Sequence, residues 1–278
     1  MATSSCRLPR PIRSSEHLTR ARQPLSRVAM ASQSSLPSPP PLADLLVQAP
    51  AALFLDFDGT LVELALEPGL IHIPETLVSS LHDLRDRLEG RLALVSGRAL
   101  DDLERHLGEV RLYRAGSHGV ARRRADGSLV GPEPEGLPPG AVAQLRSFAA
   151  AHELLYEEKS HGGALHFRRN PEMGEAVLDF ARHVAAQFEL EVTTGKAIAE
   201  LVRPGANKGG AVRAFLTEAT FAGACPIFIG DDVTDEDGMA AAIECGGFGI
   251  AVGERASKNA RYHLGSVTAV HQWLELWK

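Results

Sequence analysis

Asp56 and Asp58 stand two residues apart where the apolar run from Ala51 to Leu55 breaks, and Gly59 and Thr60 follow them. A short apolar run bounded by turn residues reads as a buried strand. Both carboxylates then sit at its C-terminal end, the edge where ligands bind in open α/β sheets. Two acids there repel each other and lose hydration, so the pair calls for a divalent cation or for a role in which one acid is protonated. Three further patches carry comparable groups: Ser96 in VSGR, Lys208 in NKGG, and Asp231, Asp232 and Asp235 in GDDVTDED. Five carboxylates at one crevice are costly without cations. Mg²⁺, which takes oxygen ligands from one or two carboxylates, waters and a phosphate, suits them. Lys208 adds a positive charge that a phosphate would welcome, and Ser96 with the amides of Asp58, Gly59 and Gly97 can donate to phosphate oxygens. Taken singly, each patch has a plainer account: a solvated Asp-Gly turn, a satisfied turn hydroxyl, a helix start, an acidic first helical turn.

The elements that must position these groups follow from the pattern. The spacing predicts a strand at 51–55, a helix at 75–88 with Leu77, Leu81, Leu84 and Leu88 at helical intervals, and a strand at 92–95 ending at Ser96. A helix at 101–106 and a strand at 112–115, ending in Gly116-Ser117-His118-Gly119, come next. Strands alternating with helices over short connections predict a doubly wound parallel sheet. The rhythm then changes to a hairpin about Asp126-Gly127, a Pro- and Gly-rich loop, helices at 141–152 and 171–188, and short strands at 154–159, 163–168, 190–193 and 197–202. The first pattern returns with a helix from Lys208, a strand at 226–229 ending in Gly230-Asp231-Asp232, a helix at 236–243, a strand at 249–252 and a last helix. The expected organisation is a disordered extension and linker at 1–48, a core domain at 49–120 and 202–278, and an inserted α+β cap domain at 121–201.

A chain of 278 residues with 44% hydrophobic residues can bury a sizeable core, and a net charge of −6 argues against nucleic acid as a partner. Three scattered cysteines offer no disulfide frame and fit a reducing compartment. No apolar run approaches a membrane span. The expectation is a cytoplasmic monomer acting on a small molecule. In residues 1–30, six Arg and only Glu16 make +5, which leaves −11 for the rest of a chain whose total is −6. That Arg- and Ser-rich stretch has the composition of an organelle transit peptide; the reading favoured here is a start site placed too early, with Met30 as the first residue.

In order along the chain, DFDGT, VSGR, NKGG and FIGDDVTDED resemble the four motifs of the haloacid dehalogenase superfamily of phosphohydrolases, with the insertion between the second and third. The resemblance covers about residues 51–278. GSHG at 116–119, YEEKSHGGALHFRR at 156–169 and AELVRPGANKG at 199–209 narrow it to the trehalose-6-phosphate phosphatases. That family's Glu-x-Lys falls on Glu157 and Lys159, its His-aromatic-Arg on His166 to Arg168, and its Glu before Val-Arg-Pro on Glu200.

The resemblance implies a haloacid dehalogenase-like core under a cap, Mg²⁺ as cofactor and a sugar phosphate as substrate. It implies Asp56 as nucleophile forming an aspartyl-phosphate, Asp58 as general acid and then base, and Ser96 and Lys208 on the phosphoryl oxygens. Asp58 would have to start protonated. Mg²⁺ would be held by Asp56, the Asp58 carbonyl and Asp231, with Asp232 and Asp235 ordering its waters. Gly97, Arg98 and His118 would edge the substrate, and Glu157, Lys159 and Glu200 would hold the sugar. The SHGG turn after Lys159 departs from the family pattern, and no role is carried onto it. Other readings from the same residues are a phosphatase for sucrose phosphate or a mannosyl-phosphoglycerate, a phosphomutase, and a sugar-phosphate sensor without turnover. Arg122 to Arg124 reads as a solvated basic run.

Overall fold

A computed structural model describes residues 36–64, 71–132, 135–159, 161–195 and 197–276. The expectations for residues 1–35, and parts of the loops at 63–73, 131–140 and 160–162, lie outside the described residues. In chain order the elements are α1 (Leu42–Gln48), β1 (Ala51–Leu55), α2 (Leu77–Arg87), β2 (Leu92–Val95), α3 (Leu100–Leu107), β3 (Tyr113–Gly116) and β4 (Ala121–Arg123). Then come α4 (Pro139–Ala151), β5 (Leu155–Lys159), β6 (Gly162–His166), α5 (Gly174–Phe188), β7 (Glu191–Gly195) and β8 (Ile198–Val202). The last are α6 (Lys208–Leu216), β9 (Cys225–Gly230), α7 (Asp235–Glu244), β10 (Phe248–Val252), β11 (Ala260–Leu264) and α8 (Val267–Leu274).

The larger sheet has the order β11-β10-β9-β1-β2-β3-β4 and is parallel except at β4. Its inner strands β10, β9, β1 and β2 read as near-continuous apolar runs because helices cover both faces. Alternate residues of β1 divide between them: Leu53 and Leu55 pack with the Leu77, Leu81 and Leu84 face of α2 and with α3 and α8, while Ala52 and Phe54 pack with Phe215 of α6 and Met239 of α7. From β1 the chain runs outward through β2 and β3, and from β9 it runs the other way through β10 and β11. β1 and β9 therefore meet at the switch in strand order, and Ala51↔Cys225 to Leu55↔Ile229 set their register. A crevice opens beyond such strand ends, with Asp56 leaving one strand and Asp231 the other.

The smaller sheet, β5-β6-β8-β7, is antiparallel throughout. Leu165, Ala199 and Leu201 face α4 and α5, where Leu145, Val177, Ala181 and Val184 complete an apolar layer. Strand alternation puts Glu157, Lys159, Ala164 and Glu200 on the other face, and the register Glu157↔Ala164↔Glu200 lines three of them up across the strands.

Three expectations need correction. The boundary expected at 121 falls inside the larger sheet: β4 pairs antiparallel with β3 at Arg114↔Arg123 and Gly116↔Ala121, and Val130 is buried in that sheet's core. The expected hairpin about Asp126-Gly127 does form, with an antiparallel bridge Arg123↔Leu129 and the Val130 N–H on the Arg122 carbonyl at 3.1 Å, and its first strand also pairs with β3. Within the extension expected to be disordered, residues 36–48 are ordered. Carbonyl oxygens of its proline run accept bonds, Pro37 from the His263 N–H at 3.0 Å and Pro40 from Trp273 Nε1 at 2.7 Å, and Leu42 and Leu45 of α1 are buried. Strand β11, ARYHL, was not anticipated, because an edge strand with Arg, Tyr and His shows no apolar alternation.

Candidate active site

The end of β1 delivers Asp56, buried, with its N–H on the Ile229 carbonyl of β9 at 2.9 Å. The chain then turns tightly: Gly59 (φ 79°) donates to the Val62 carbonyl at 2.7 Å. A glycine is required there, since a Cβ would lie 2.2 Å from Asp231 Oδ2. At the end of β9, Asp231 and the following turn lead into α7, whose first residue is the buried Asp235. Asn207 caps α6, its side chain accepting from the Gly210 N–H at 2.9 Å. That cap sets Lys208, the first residue of α6, so that its buried ammonium donates to Asp56 Oδ1 and Asp235 Oδ1, both at 2.6 Å. Asp235 Oδ2 in turn accepts from the Asp232 N–H at 2.8 Å.

Carboxylate oxygens of Asp56, Asp231 and Asp235 lie within 4.8 Å of one another. Against three carboxylates stands one ammonium in contact, so the ionised cluster carries a surplus of two negative charges. Burial pushes Asp56 up to about 6 against the pull of Lys208. Burial, then the charges of Asp235 and Asp232, lift Asp231 to about 6. Burial and the neighbouring Asp56 lift Asp235 to about 7. Burial works against the Lys208 ammonium too, but Asp56 and Asp235 outweigh it and hold the group above its ordinary value. An all-oxygen donor set short of two positive charges fits a hard divalent cation. The carboxylates of Asp58 and Asp232 lie outside this cluster, and the Asp232 side chain faces outward.

Asp58 points instead to Arg98. The guanidinium donates from Nε and Nη2 to the two Asp58 oxygens, both at 2.7 Å, and from Nη1 to Asp102 Oδ2 at 2.7 Å. Such a fork fixes geometry as well as charge. The buried Ser96 hydroxyl accepts from the Arg98 N–H at 3.1 Å, which folds residues 96–98 into a tight loop. His118 lies over Gly97, where a Cβ would come within 2.7 Å of the imidazole. Burial, then the Lys208 charge, lower the His118 pKa, so the ring is neutral near pH 7; its Nδ1 is buried with no hydrogen-bond partner among the described residues. A cleft of about 730 Å³ is lined by Asp56, Asp58, Gly97, Arg98, His118, Lys208, Asp231 and Asp232 among others.

On the smaller sheet, Lys159 Nζ donates to Glu200 Oε1 at 2.9 Å, and Glu157 Oε2 meets His166 Nε2 at 2.8 Å. Glu200 is buried, and its charge and that of Lys159 act on the His118 ring. The three expected sugar-holding residues thus share one face, two of them in contact. They do not line the core cleft itself.

Two groups near the site escaped the sequence reading. Thr60, fully buried, directs Oγ1 to Asp231 Oδ1 at 3.5 Å. Arg255 donates to the Asp231 and Asp232 carbonyls at 2.9 and 2.8 Å and to Glu236 Oε1 at 2.8 Å, clasping the acidic turn. Thr60 was legible as part of DFDGT. Nothing local marks Arg255.

A sequence model of the trehalose-phosphatase family matches residues 54–262. Trehalose-6-phosphate phosphatase of Escherichia coli (strain K12) is 33% identical over 233 residues, covering 83% of this chain and 87% of that protein. A probable trehalose-phosphate phosphatase of Sinorhizobium fredii is 38% identical over 209 residues, covering 73% and 77%. Among solved structures, the trehalose-6-phosphate phosphatase of Aspergillus fumigatus superposes with a TM-score of 0.65 at 25% identity, covering 87% of this chain and 98% of that one. The fold is shared with phosphatases of the haloalkanoate (HAD) superfamily.

Proposed function

The chain belongs to the trehalose-phosphatase family of haloacid dehalogenase-like phosphatases, and from that premise we propose that it hydrolyses trehalose 6-phosphate to trehalose and phosphate with Mg²⁺ through an aspartyl-phosphate on Asp56. The observation that carries this reading is the buried contact of Lys208 with Asp56 and Asp235 beside Asp231. It sets a carboxylate nucleophile, an ammonium for phosphoryl oxygens and a surplus of oxygen ligands at one strand switch.

The Asp56 carboxylate attacks phosphorus, and the bond from phosphorus to the sugar oxygen breaks. Asp58 gives its proton to the departing oxygen, then takes one from the water that cleaves the aspartyl-phosphate. Both Asp58 oxygens lie in the Arg98 fork, so Arg98 must release at least one of them, exchanging it for a phosphoryl oxygen, before Asp58 can meet the departing oxygen. Ser96, Lys208 and the Gly97 amide hold the other phosphoryl oxygens, which is charge stabilisation by groups already in place. Asp56, Asp231 and Asp235 would hold Mg²⁺, with the Asp58 carbonyl completing the set and Asp232 ordering its waters. Bound there, the ion supplies the missing positive charge and polarises the phosphoryl group.

The smaller sheet is read as the cap that meets the sugar. Glu157, Lys159 and Glu200 supply acceptors and donors suited to hydroxyls, and their present bonds to one another and to His166 are ones a disaccharide can replace. Losing one charged hydrogen bond to a buried hydroxyl costs about 1.5–3 kcal/mol, or roughly ten- to over a hundred-fold in kcat/KM.

The test is phosphate release from trehalose 6-phosphate beside glucose 6-phosphate, sucrose 6-phosphate and an aryl phosphate, with Glu157→Ala, Lys159→Ala and Glu200→Ala. The expected result is a preference for trehalose 6-phosphate that each substitution damages, while the aryl phosphate stays within a few-fold of wild type. Equal losses on both substrates would assign these residues to folding or closure. No loss on either would remove the ground for this substrate.

A further inference from the structure

Arg122 of β4 is partly buried, and its hydrogen bonds among the described residues go to backbone carbonyls: Nε to Gly119 at 2.7 Å and Nη2 to Gly205 at 3.3 Å. Neither partner carries a charge, and burial lowers the guanidinium from its ordinary value. A desolvated cation satisfied only by neutral acceptors costs stability, so its place calls for a reason beyond folding.

Both carbonyls belong to constrained segments that end at the reaction site. Gly119 follows Ser117 and His118, consecutive non-glycine residues with φ of 52° and 57°. Side-chain-bearing residues adopt that left-handed conformation at a cost, and it persists only where the surroundings over-determine it. Here the Ser117 N–H donates to the Arg98 carbonyl at 2.6 Å and the His118 N–H to the Ser96 carbonyl at 3.0 Å. Arg122 holds the far end of the same turn through Gly119. Gly205 lies on the return crossing from the smaller sheet to the larger, with φ of 72°. Its N–H meets Glu191 Oε1 of β7 at 3.4 Å. Strand β7 therefore grips Gly205 from one side and Arg122 of β4 grips it from the other. Two residues on, Asn207 caps the helix that begins at Lys208. The two segments also touch directly, since a Cβ on Gly119 would lie 2.4 Å from the Asn207 carbonyl oxygen.

We propose that Arg122 is a positioning residue for the reaction: one guanidinium holds the His118 turn and the chain entering Lys208 in register, and pins the linker from the smaller sheet at that same point. The inference rests on the reading of Ser96, His118 and Lys208 as substrate-facing groups. A lysine at 122 reaches one carbonyl and an alanine reaches neither, so the two halves of the register come apart by degrees.

The experiment compares wild type, Arg122→Lys and Arg122→Ala on trehalose 6-phosphate and on an aryl phosphate, with kcat expressed per folded molecule from a melting curve of each protein. Misplacing a reacting group by about 1 Å costs on the order of a hundred-fold. The expected result is a fall in kcat of about ten- to a hundred-fold on both substrates in proteins that remain folded at the assay temperature. Low, non-denaturing guanidinium chloride is expected to return part of the activity to Arg122→Ala where equal sodium chloride does not. A wild-type kcat in folded Arg122→Lys, or a loss that merely tracks the unfolded fraction, overturns the proposal. If wild type hydrolyses the aryl phosphate but not trehalose 6-phosphate, the substrate reading alone fails, because the Arg122 comparison still stands on the aryl phosphate.

Discussion

Replacing Lys208 by Met removes the ammonium in contact with the buried carboxylates while keeping most of the side chain's volume, and the structure sets the size of the effect. At pH 7 Asp56, lifted from 3.8 to about 6, is still mainly ionised beside Lys208, whereas Asp235, lifted to about 7, already holds a proton half the time. Without the ammonium, Asp56 must hold its proton as well. One pH unit beyond its present value costs about 1.4 kcal/mol. Asp231 adds less because it is more exposed to solvent, and the lost desolvation of Lys208 offsets part of the total. A net loss of about 1.5–3 kcal/mol follows, at the lower edge of the roughly 3–5 kcal/mol typical of breaking a buried pair. For a domain of this size that is a fall in Tm of about 3–12 °C. The sign with pH is fixed by linkage. A carboxyl whose folded pKa is raised binds its proton more tightly in the native state, so stability falls as pH rises from the unfolded value toward the folded one. Lys208→Met raises the folded values further, so its deficit against wild type grows upward through pH 6–7 and shrinks toward pH 5, where Asp56 and Asp235 are mostly protonated in both proteins. The assay is a melting curve in chelator at pH 5 and pH 7.5. A deficit of equal size at both, or none at pH 7.5, would mean that the cluster does not repel itself as its geometry requires.

The remaining predictions concern the nucleophile, the ion and the turn that faces Asp231. Asp56→Asn, isosteric but unable to attack phosphorus, is expected to abolish turnover in a folded protein; a rate near wild type would place the nucleophile elsewhere. Mg²⁺ is expected to raise the Tm by an increment that grows between pH 5.5 and 7.5, because the ion competes with protons on carboxyls lifted to about 6–7. An increment that is flat with pH, or that survives Asp231→Asn undiminished, would show binding at another place. Gly59→Ala forces a side chain into a left-handed turn 2.2 Å from Asp231 Oδ2, and is expected to weaken Mg²⁺ binding at least about ten-fold as Asp231 moves, a shift of about 1.4 kcal/mol. Calorimetric titration giving wild-type affinity would refute it.

Legibility in the sequence followed the range of the physical signal. Asp56, Ser96 and Asp231 could be placed because each ends an apolar run, and a strand end is a local event. The pairing of Glu157 with Lys159 on one face needed only the two-residue period of a strand. What was missed depends on partners far along the chain. Arg255 reaches back to the Asp231 and Asp232 carbonyls, and no periodicity or turn signal announces a side chain that bonds to backbone. Arg122 read as a solvated basic residue because the carbonyls that accept from it include one 83 positions away. The proline run before α1 read as a linker by composition, yet its carbonyls close bonds to β11 and α8. The same composition serves a free segment and one stitched down by its acceptors, and only the neighbouring donors decide between them.

The Arg98 fork bears on how the two charged groups of the site are timed. Asp56 and Asp58 leave the same strand end, yet the structure gives them opposite surroundings: Asp56 is buried against Lys208, while Asp58 faces the cleft, gripped by Arg98. Burial favours the protonated form of Asp56, and the Lys208 ammonium pulls against it. The proposed reaction requires an anionic nucleophile at Asp56, and Lys208 already pulls that carboxyl toward the ionised form. On the proposed reading, a divalent cation held by Asp56, Asp231 and Asp235 would add positive charge that favours ionised Asp56, and the phosphoryl oxygens of a substrate would compete with Asp58 for the Arg98 fork. On this account ion and substrate act on opposite sides of one strand end, the ion on the buried carboxylates and the phosphoryl group on the Arg98 fork.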